Sequence, residues 1–284
     1  MNIHPDTINQ PTASPFLKWA GGKGKLLAQY LPLFPGKFKN YFEPFIGGGA
    51  VFFFLQPRPA RLGDSNQELI NCYIQVRDNP EELMILLAQH REIHNLPTGG
   101  SNYYYDIRAQ DANQLSSLQR AARMIYLNKT CYNGLWRVNS QGLFNVPFGR
   151  YKNPGIFDRE NILTASRALS GVNLVVEDFR KILDHAKKED FVYFDPPYHP
   201  LSTTSNFTDY TRLPFGPGDQ EDLARVFQQL DEKGCRVMLS NSDTPFIRSL
   251  YHGYHITGIM APRLINSQVK GRKPINELLI RNYT

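Results

Sequence analysis

Four consecutive residues, D-P-P-Y at positions 195–198, have the chemistry to read an amino group on a nucleic-acid base. They follow an apolar run at 191–194 that is typical of a buried strand. Because proline lacks an N–H group, the carbonyls of Asp195 and Pro196 remain acceptors beside the Asp195 carboxylate. Accepting both hydrogens of an exocyclic amine would favour a more nucleophilic nitrogen, while Tyr198 stacks on the base. A simple turn is the weaker interpretation, because four matched residues follow the strand.

A second pattern joins a strand at 41–45 to a triple-glycine turn at 47–49 and then to an apolar helix start. In α/β folds such a turn brings the backbone close to a nucleotide-like ligand. The next strand, 60–63, leads into Asp64, where these folds place a carboxylate on ribose hydroxyls. Phe52 breaks the G-x-G-x-x-G fingerprint, so an ordinary dinucleotide enzyme is disfavoured.

A third stretch, K-W-A-G-G-K-G-K at 18–25, combines glycines with an aromatic ring and three lysines. It fails as a phosphate-binding P-loop, because Trp19 stands where the first glycine belongs and Leu26 follows Lys25 in place of Ser or Thr. A nucleoside triphosphatase is therefore disfavoured. The aromatic face and the cations suit an adenine-bearing or carboxylate-bearing ligand, and a flexible basic loop fits these residues equally well.

Metal-binding patterns are missing from the sequence. His90 and His94 have the spacing of a zinc-protease helix, but Arg91 stands where that motif needs Glu. The cysteines lie far apart and form no C-x-x-C pair: Cys72, Cys131 and Cys235. We therefore expect no metal site and no disulfide framework, which suits a reducing compartment.

The composition describes a water-soluble chain of 284 residues, 41% hydrophobic and 20% charged, with a mean hydropathy of -0.41. Its net charge of +6 and pI of about 9.1 permit a polyanionic partner without demonstrating one. The first fifteen residues are polar and contain three prolines, and no apolar run reaches membrane-spanning length. We therefore expect a cytoplasmic protein with no membrane partner.

The chemistry-bearing residues must be positioned by short apolar strands. Seven are predicted, at 41–45, 60–63, 174–176, 191–194, 235–239, 255–260 and 278–281. Helix patterns separate the later ones, as at 219–234, where Asp219 is expected to cap the helix and Gly234 to end it. This alternation predicts a parallel α/β sheet.

A mainly helical insert, from 81 to about 119, separates two strand-rich parts of the chain. Its apolar residues recur at helical spacing, as in Leu83, Leu86 and Leu87. The following stretch, 127–151, is rich in Asn, Gly, Arg and aromatic residues and has no clean period. It is predicted to be an ordered loop or hairpin that carries function.

The motifs and their order resemble the Dam-type DNA adenine-N6 methyltransferases, which use S-adenosylmethionine. The resemblance is carried by Asp64 and by the stretches 16–23, 43–49, 126–137 and 195–198. Three more look like the GATC-methylating branch of that family: G-L-F-N-V-P-F-G-R-Y at 142–151, P-L-S at 200–202 and N-F-T at 206–208. As in that family, the expected recognition domain lies between the glycine motif and D-P-P-Y.

The resemblance implies a Rossmann-like α/β methyltransferase core of about seven strands with a mostly helical, inserted target-recognition domain. The catalytic, S-adenosylmethionine-binding domain would comprise 16–66 and 158–284, and the recognition domain 67–157, behind a flexible tail at 1–15. Double-stranded DNA is the implied partner, and a monomer without metal is the implied state.

Residue roles are implied in the same way. Asp195, Pro196 and Tyr198 would handle a flipped adenine. Asp64 would hold the cofactor ribose, and the whole cofactor site would be lined by Trp19, Lys23, Gly47, Asp64, Asp178, Phe179 and Asp195. Tyr132 would fill the space of the flipped base, and the DNA contacts would comprise Lys18, Tyr132, Asn133, Leu135, Arg137, Pro147 and Arg150.

One further stretch is given a role by the resemblance, and a second is marked by its basic residues. Residues 206–210 would form a loop that closes over the target, and Lys270, Arg272 and Lys273 would contact phosphates or form a solvated basic turn. Two alternatives to a GATC enzyme remain. One is an adenine methyltransferase of a restriction-modification system that reads another site. The other is a DNA-binding relative without catalysis, in which D-P-P-Y or the glycine motif should be broken; both are intact.

Overall fold

A computed structural model describes residues 13–201, 215–261 and 275–284. Several predictions concern residues outside these ranges: most of the expected tail, the N-F-T stretch and loop at 206–210, and the basic residues Lys270, Arg272 and Lys273. The last residue of the P-L-S stretch, Ser202, also lies outside them.

Seven strands form one sheet in the described residues: β1 (Tyr41–Glu43), β2 (Ala60–Asp64), β3 (Asn173–Val176), β4 (Phe191–Phe194), β5 (Arg236–Ser242), β6 (His255–Ala261) and β7 (Ile275–Arg281). Their order across the sheet is β3-β2-β1-β4-β5-β7-β6. All seven predicted strands are present. β5 runs three residues beyond its predicted end at Leu239, which becomes important for the site.

The prediction of a wholly parallel sheet is wrong for β7. Strands β1 to β5 pair in parallel, whereas β7 is antiparallel to both of its neighbours, β5 and β6. Because β7 is antiparallel to both neighbours, β5 and β6 point the same way. Among the described elements, β6 and β7 follow one another and pair directly as antiparallel neighbours, a pairing that the strand–helix alternation does not predict.

Helices cover the sheet and build the insert, and in the described ranges they are α1 (Leu27–Tyr30), α2 (Ala50–Leu55), α3 (Gln67–Asp78), α4 (Pro80–His94), α5 (Ser101–Ala109), α6 (Ser117–Thr130), α7 (Arg159–Leu169), α8 (Ile182–His185), α9 (Pro217–Glu232) and α10 (Pro245–Leu250). None of them is long and apolar enough to cross a membrane.

The ends of α9 agree in part with the prediction. Gly234 ends the turn after the helix with a φ of 78°, a left-handed conformation that glycine adopts without strain. Asp219 is not the N-cap. The helix begins earlier, because Pro217 suits its first position, and the Asp219 carboxylate instead accepts a 3.0 Å hydrogen bond from the Gly216 N–H.

The helical insert is confirmed, and α6 forms its buried centre. Ser116 and Gln119 cap its start reciprocally. The helix continues to Thr130, so residues 127–130, predicted as loop, are helical because their buried side chains extend the helix's packed face. The chain after it forms hairpin-like bridges that join Cys131 to Phe148 and Val138 to Phe144.

Both faces of the sheet are buried, which explains why β4 reads as a continuous apolar run. Phe191 and Tyr193 pack on one face, while Val192 and Phe194 pack on the other. With β4 fixed from both sides, the residues that follow it leave the sheet at a defined place. The carboxyl ends of β1, β2, β4 and β5 share that edge, and the site lies there.

Candidate functional site

The carboxyl edge of the sheet brings Asp195 against two side chains from other elements. Phe194 pairs with Leu239, so Asp195, the first residue after β4, lies beside Ser240 of β5. The Ser240 hydroxyl donates a 2.7 Å hydrogen bond to Asp195 Oδ1. The same oxygen lies 2.8 Å from Lys23 Nζ. Oδ1 is thus held by two donors, and no donor from the described residues contacts Oδ2.

Lys23 is a buried cation, although the resemblance implied only a cofactor contact. Its side chain is 2% exposed, and its ammonium also donates to the Gly21 carbonyl at 2.5 Å. Nζ lies 4.8 Å from the centre of the Tyr198 ring, within range of a cation–π interaction. The structure therefore brings Lys23, Asp195 and Tyr198 into one cluster.

Two further carboxyl groups face this cluster. Burial raises the pKa of Glu43 well above its usual range, and the Tyr41 hydroxyl donates to it at 2.7 Å. Burial also raises the pKa of Glu277, which accepts a 2.8 Å hydrogen bond from the Tyr198 hydroxyl. Lys23 lies near enough to lower both pKa values in part, while its direct ion pair is with Asp195.

The glycine turn packs against Trp19 and Asp64. Gly47 has a φ of 47°, and a Cβ at this position would lie 2.8 Å from the Trp19 ring, so only glycine fits. The Gly47 N–H donates to Asp64 Oδ2 at 3.3 Å, and the Asn66 N–H donates to Oδ1 at 2.9 Å. Burial raises the pKa of Asp64 to about 6. The structure thus brings Trp19, Gly47 and Asp64 together at the glycine turn.

Asp178 and Phe179 follow β3, beside the strand that carries Asp64. The Asp178 carboxylate is half-exposed and accepts from both the backbone and the guanidinium of Arg180, at 2.9 Å each. Phe179 is only 4% exposed and stacks on Phe45, with ring centres 5.3 Å apart. Asp178 therefore keeps an accessible polar edge, whereas Phe179 contributes mainly to packing.

The loop after α6 presents several of the expected DNA contacts to solvent. Tyr132 is 53% exposed, and its N–H donates to the Pro147 carbonyl at 2.8 Å. Asn133 and Arg150 are exposed and have φ values of 55° and 53°, in the left-handed region. The exposed Lys18 lies with its ammonium 4.4 Å from the Tyr151 ring centre. We define this recognition surface as Lys18, Tyr132, Asn133, Pro147 and Arg150.

Leu135 and Arg137 differ from that surface. Leu135 packs in part against the hydrophobic core. Arg137 is half-buried, and its Nε donates to Asn145 Oδ1 at 2.7 Å, with a second contact from Nη2 to the Asn145 carbonyl at 3.3 Å. Asn145 therefore fixes the direction of the guanidinium, as a group that reads a base edge requires.

Asn128 connects the recognition surface to the chain around Trp19. Its side chain is fully buried and exchanges hydrogen bonds of 2.8 Å with both the N–H and the carbonyl of Lys18. It also donates to the Gly134 carbonyl at 3.0 Å. Gly134 in turn contacts Lys18, since a Cβ there would meet the lysine side chain at 2.5 Å.

The sequence interpretation gave no role to Ser240, Glu277 or Asn128. A signal existed for Ser240: parallel neighbours end at the same edge, so the residue after the predicted β5 end should face Asp195. Asn128 lies within a stretch that carried the resemblance, but nothing local marks its partner across the chain. Glu277 gives no signal, because its position depends on the unpredicted antiparallel direction of β7.

The histidines of α4 form tyrosine contacts. His90 Nδ1 lies 2.7 Å from the Tyr103 hydroxyl, and His94 Nδ1 lies 2.9 Å from that of Tyr126. Among the residues that the structure describes, no group of three or more His, Cys, Asp or Glu could hold a metal ion.

The strand order, with D-P-P-Y at the end of β4, defines a Rossmann-like methyltransferase core. Residues 19–264 match the family described as D12 class N6 adenine-specific DNA methyltransferases, and the chain belongs to that family. It is therefore an adenine-specific DNA methyltransferase.

Similar proteins include two type II methyltransferases. M1.LlaDCHI of Lactococcus lactis subsp. cremoris is 46% identical over 97% of each chain. M.MjaIII of Methanocaldococcus jannaschii is 43% identical over 95% of this chain and 99% of its own. A DNA adenine methylase of Serratia marcescens is 36% identical over 93% of this chain and 96% of its own. These relatives extend the family match over almost the whole chain.

Proposed function

We propose that this protein transfers the methyl group of S-adenosylmethionine to N6 of a flipped adenine in double-stranded DNA, within the sequence GATC. The observation that carries the proposal is the state of Asp195. Lys23 and Ser240 hold its Oδ1, which leaves Oδ2 as an acceptor beside the Tyr198 ring. An amino group needs such an arrangement of acceptors next to a stacking surface.

The residues of the glycine turn fit the cofactor. A nucleoside presents ribose hydroxyls, which are donors for the Asp64 carboxylate, and an adenine amine, which is a donor for the half-exposed Asp178. Trp19 lines the same turn. When bound, S-adenosylmethionine supplies a methyl group already activated by its sulfonium, so no metal is required for the chemistry.

The protein's own residues then orient the target nitrogen. Asp195 Oδ2 and the Pro196 carbonyl accept the two amino hydrogens, while Tyr198 stacks on the adenine ring. As the new N–C bond forms and the methyl–sulfur bond breaks, positive charge passes to the amine, which then releases one proton to solvent. The nearby Asp195 carboxylate stabilises this charge in the transition state. The two hydrogen bonds to Oδ1 prevent the carboxylate from rotating during this step.

In this proposal, residues 16–66 and 158–284 form the catalytic domain, and 67–157 form the recognition domain. The recognition surface contacts DNA, with Tyr132 in the space vacated by the flipped adenine. Lys18 and Arg150 contribute a salt-dependent attraction to phosphates, Arg137 reads a base edge, and the neighbouring Leu135 contacts the DNA from the same loop. The exposure of Tyr132 and the fixed guanidinium of Arg137 support this division.

The experiment is to incubate the purified protein with S-adenosylmethionine and unmethylated plasmid, and to map N6-methyladenine at base resolution. Methylation confined to GATC is the expected result. Methylation at another sequence would keep the chemistry and overturn the GATC assignment, whereas a plasmid without N6-methyladenine would overturn the catalytic proposal. A duplex already methylated at every GATC adenine serves as the matched control.

A second candidate is a modification enzyme of a restriction-modification system. It is favoured by the higher identity to the two type II methyltransferases, 46% and 43%, than to the Serratia DNA adenine methylase at 36%. The same map separates the recognition sites. Protection of the methylated plasmid from an endonuclease encoded beside this protein's gene would support the restriction-modification role.

A further inference from the structure

We infer that Glu277 is a positioning residue for methyl transfer, because its carboxyl group fixes the Tyr198 ring on which the target adenine stacks. This role rests on the proposed function, in which Tyr198 meets the flipped base. The contact that carries the inference is the 2.8 Å hydrogen bond from the Tyr198 hydroxyl to Glu277 Oε2. It joins D-P-P-Y to a strand that lies two places away across the sheet.

Glu277 is mounted on a rigid support. It lies on β7, where it pairs with Ser242 of β5 on one side and Ile259 of β6 on the other. Because residues paired across a sheet point to the same face, Glu277 shares its face with Ser242 and, two residues back, with Ser240. The carboxyl group that holds Tyr198 and the hydroxyl that holds Asp195 thus come from one face of adjoining strands.

Other residues hold the backbone around Tyr198, so the contact with Glu277 acts on the tyrosine side chain. Gln220 donates to the Pro197 carbonyl at 2.9 Å, and Asn241 accepts from the His199 N–H at 3.1 Å. These bonds place the main chain on both sides of the tyrosine. They do not fix rotation of its side chain, and among the described residues Glu277 is the partner of the hydroxyl.

The ring of Tyr198 has one occupied face. Lys23 Nζ lies over it at 4.8 Å from the ring centre, so a base must stack on the opposite face. A rotated ring would lose the lysine contact and turn that opposite face away from Asp195. The orientation of the Tyr198 ring therefore decides how the base stacks and how its amino group meets Asp195 Oδ2. Glu277 sets that orientation.

The test compares Glu277→Ala, Glu277→Gln and Tyr198→Phe with the wild-type enzyme, using a GATC duplex. Glutamine retains a carbonyl acceptor, whereas the other two changes remove the hydrogen bond. We expect Glu277→Ala to lower the single-turnover rate about tenfold to a hundredfold, the order of loss for a misplaced reacting group. Tyr198→Phe should fall similarly, and Glu277→Gln should regain most of the rate. Glu81→Ala, which removes an exposed carboxylate on α4, is the matched control.

Two readouts separate positioning from general damage. DNA affinity should change less than about threefold in all variants, since the recognition surface is untouched. With 2-aminopurine replacing the target adenine, Glu277→Ala should give brighter fluorescence than wild type, because a base poorly stacked on Tyr198 is less quenched. The double variant Glu277→Ala with Tyr198→Phe should be no slower than either single variant, because both remove the same bond.

The outcomes are distinguishable. A wild-type enzyme that methylates no adenine would overturn the proposed function and this inference together. An active wild type whose Glu277→Ala and Tyr198→Phe variants keep the full rate would overturn this inference alone. So would a Glu277→Gln variant as slow as Glu277→Ala. If Glu277→Ala does not fold, Tyr198→Phe, which keeps the aromatic ring, decides the question by the same rate and fluorescence criteria.

Discussion

The functional groups at the carboxyl edge of the sheet are buried and fixed, whereas those of the recognition surface are exposed to solvent. At the edge, Lys23 is 2% exposed and the Asp195 carboxylate is held by two donors before any substrate arrives. On the recognition surface, Tyr132 is 53% exposed, and Asn133 and Arg150 extend into solvent. Groups that are fixed before the substrate arrives can stabilise a transition state without rearranging. Solvated groups can exchange their bound water for the phosphates of a polyanion.

The backbone shows the same contrast. At the edge, Ser240 and Glu277 lie on strands, and Asp195 follows β4 directly. In the recognition surface, Asn133 and Arg150 occupy left-handed conformations that non-glycine residues rarely adopt. A surrounding network must hold such residues in place, and Asn128 belongs to it. The comparison predicts that changes at the edge lower the rate of methyl transfer, whereas changes on the recognition surface lower affinity and sequence choice.

Loss of the buried cation should lower both stability and rate. Lys23→Met leaves the Asp195 carboxylate without its ion pair in a largely buried site. We expect an unfolding free energy lower by about 3 kcal/mol and a methylation rate lower by roughly a hundredfold. Denaturant unfolding and single-turnover kinetics measure the two effects. Lys25→Met, which removes an exposed lysine two residues away, should change neither. Equal losses of stability and rate in Lys23→Met and Lys25→Met would contradict the distinction between the buried and the exposed lysine.

Removing Asn128 should weaken the support of the recognition surface, because its side chain joins Lys18 to Gly134. Asn128→Ala deletes three hydrogen bonds and leaves buried backbone groups of Lys18 and Gly134 without a partner. We expect a loss of about 2 kcal/mol of stability and weaker binding to GATC duplexes. Thermal unfolding and fluorescence anisotropy measure these changes, with the exposed Asn113→Ala as control. If Asn128→Ala lowers stability but binds DNA as tightly as wild type, the hydrogen bonds of Asn128 do not support the recognition surface.

A smaller and more selective effect is expected at Arg137. Asn145 fixes its guanidinium, so Arg137→Ala should remove one base contact worth roughly 1 to 3 kcal/mol of discrimination. Competition between GATC and single-substitution duplexes measures this loss. Arg150→Ala, at an exposed position, should instead weaken binding to every duplex equally and reduce its salt dependence. If Arg137→Ala lowers the affinity for all duplexes by the same factor, Arg137 contacts a phosphate and not a base.

The smallest effect concerns pH and Asp64. Burial raises its pKa in the folded protein to about 6, above the ordinary value near 3.8. Its contribution to folding stability is therefore present at low pH and is lost as the pH rises through about 6. Ribose hydroxyls donate to the ionised carboxylate, so cofactor affinity should increase over the same interval. Calorimetric titration of S-adenosylmethionine from pH 5 to 8 measures it. Asp64→Asn should remove this part of the pH dependence, and an unchanged profile would place the ribose elsewhere.

Much of the fold follows from local patterns. The seven apolar runs, the glycine turn and the helical insert are readable because strand and helix periods are encoded by neighbouring residues. The direction of β7 is not encoded in this way, since it depends on which strand the last segment meets. The true end of β5 also depends on pairing: β7 covers residues 240–242, which are too polar to predict a strand.

The site was predictable to the extent that its motifs are continuous in sequence. Asp195, Tyr198, Gly47 and Asp64 lie where the motifs predict, although their roles stay predictions until tested. Partners from distant segments could not be predicted. Ser240 and Glu277 reach the D-P-P-Y residues only through sheet register, and Lys23 reaches Asp195 across 172 positions of the chain. Such contacts depend on tertiary packing, which local propensity does not specify.

We expect the edge to supply catalysis and the recognition surface to supply binding. The most direct test measures single-turnover methylation and DNA affinity together for Asp195→Ala, with Asp184→Ala as a control that removes an exposed carboxylate. We expect a methylation rate at least about a thousandfold lower for Asp195→Ala, because the carboxylate acts in the transition state, with GATC affinity within about threefold of wild type. Near-normal methylation, or a rate lost only in proportion to DNA affinity, would contradict it.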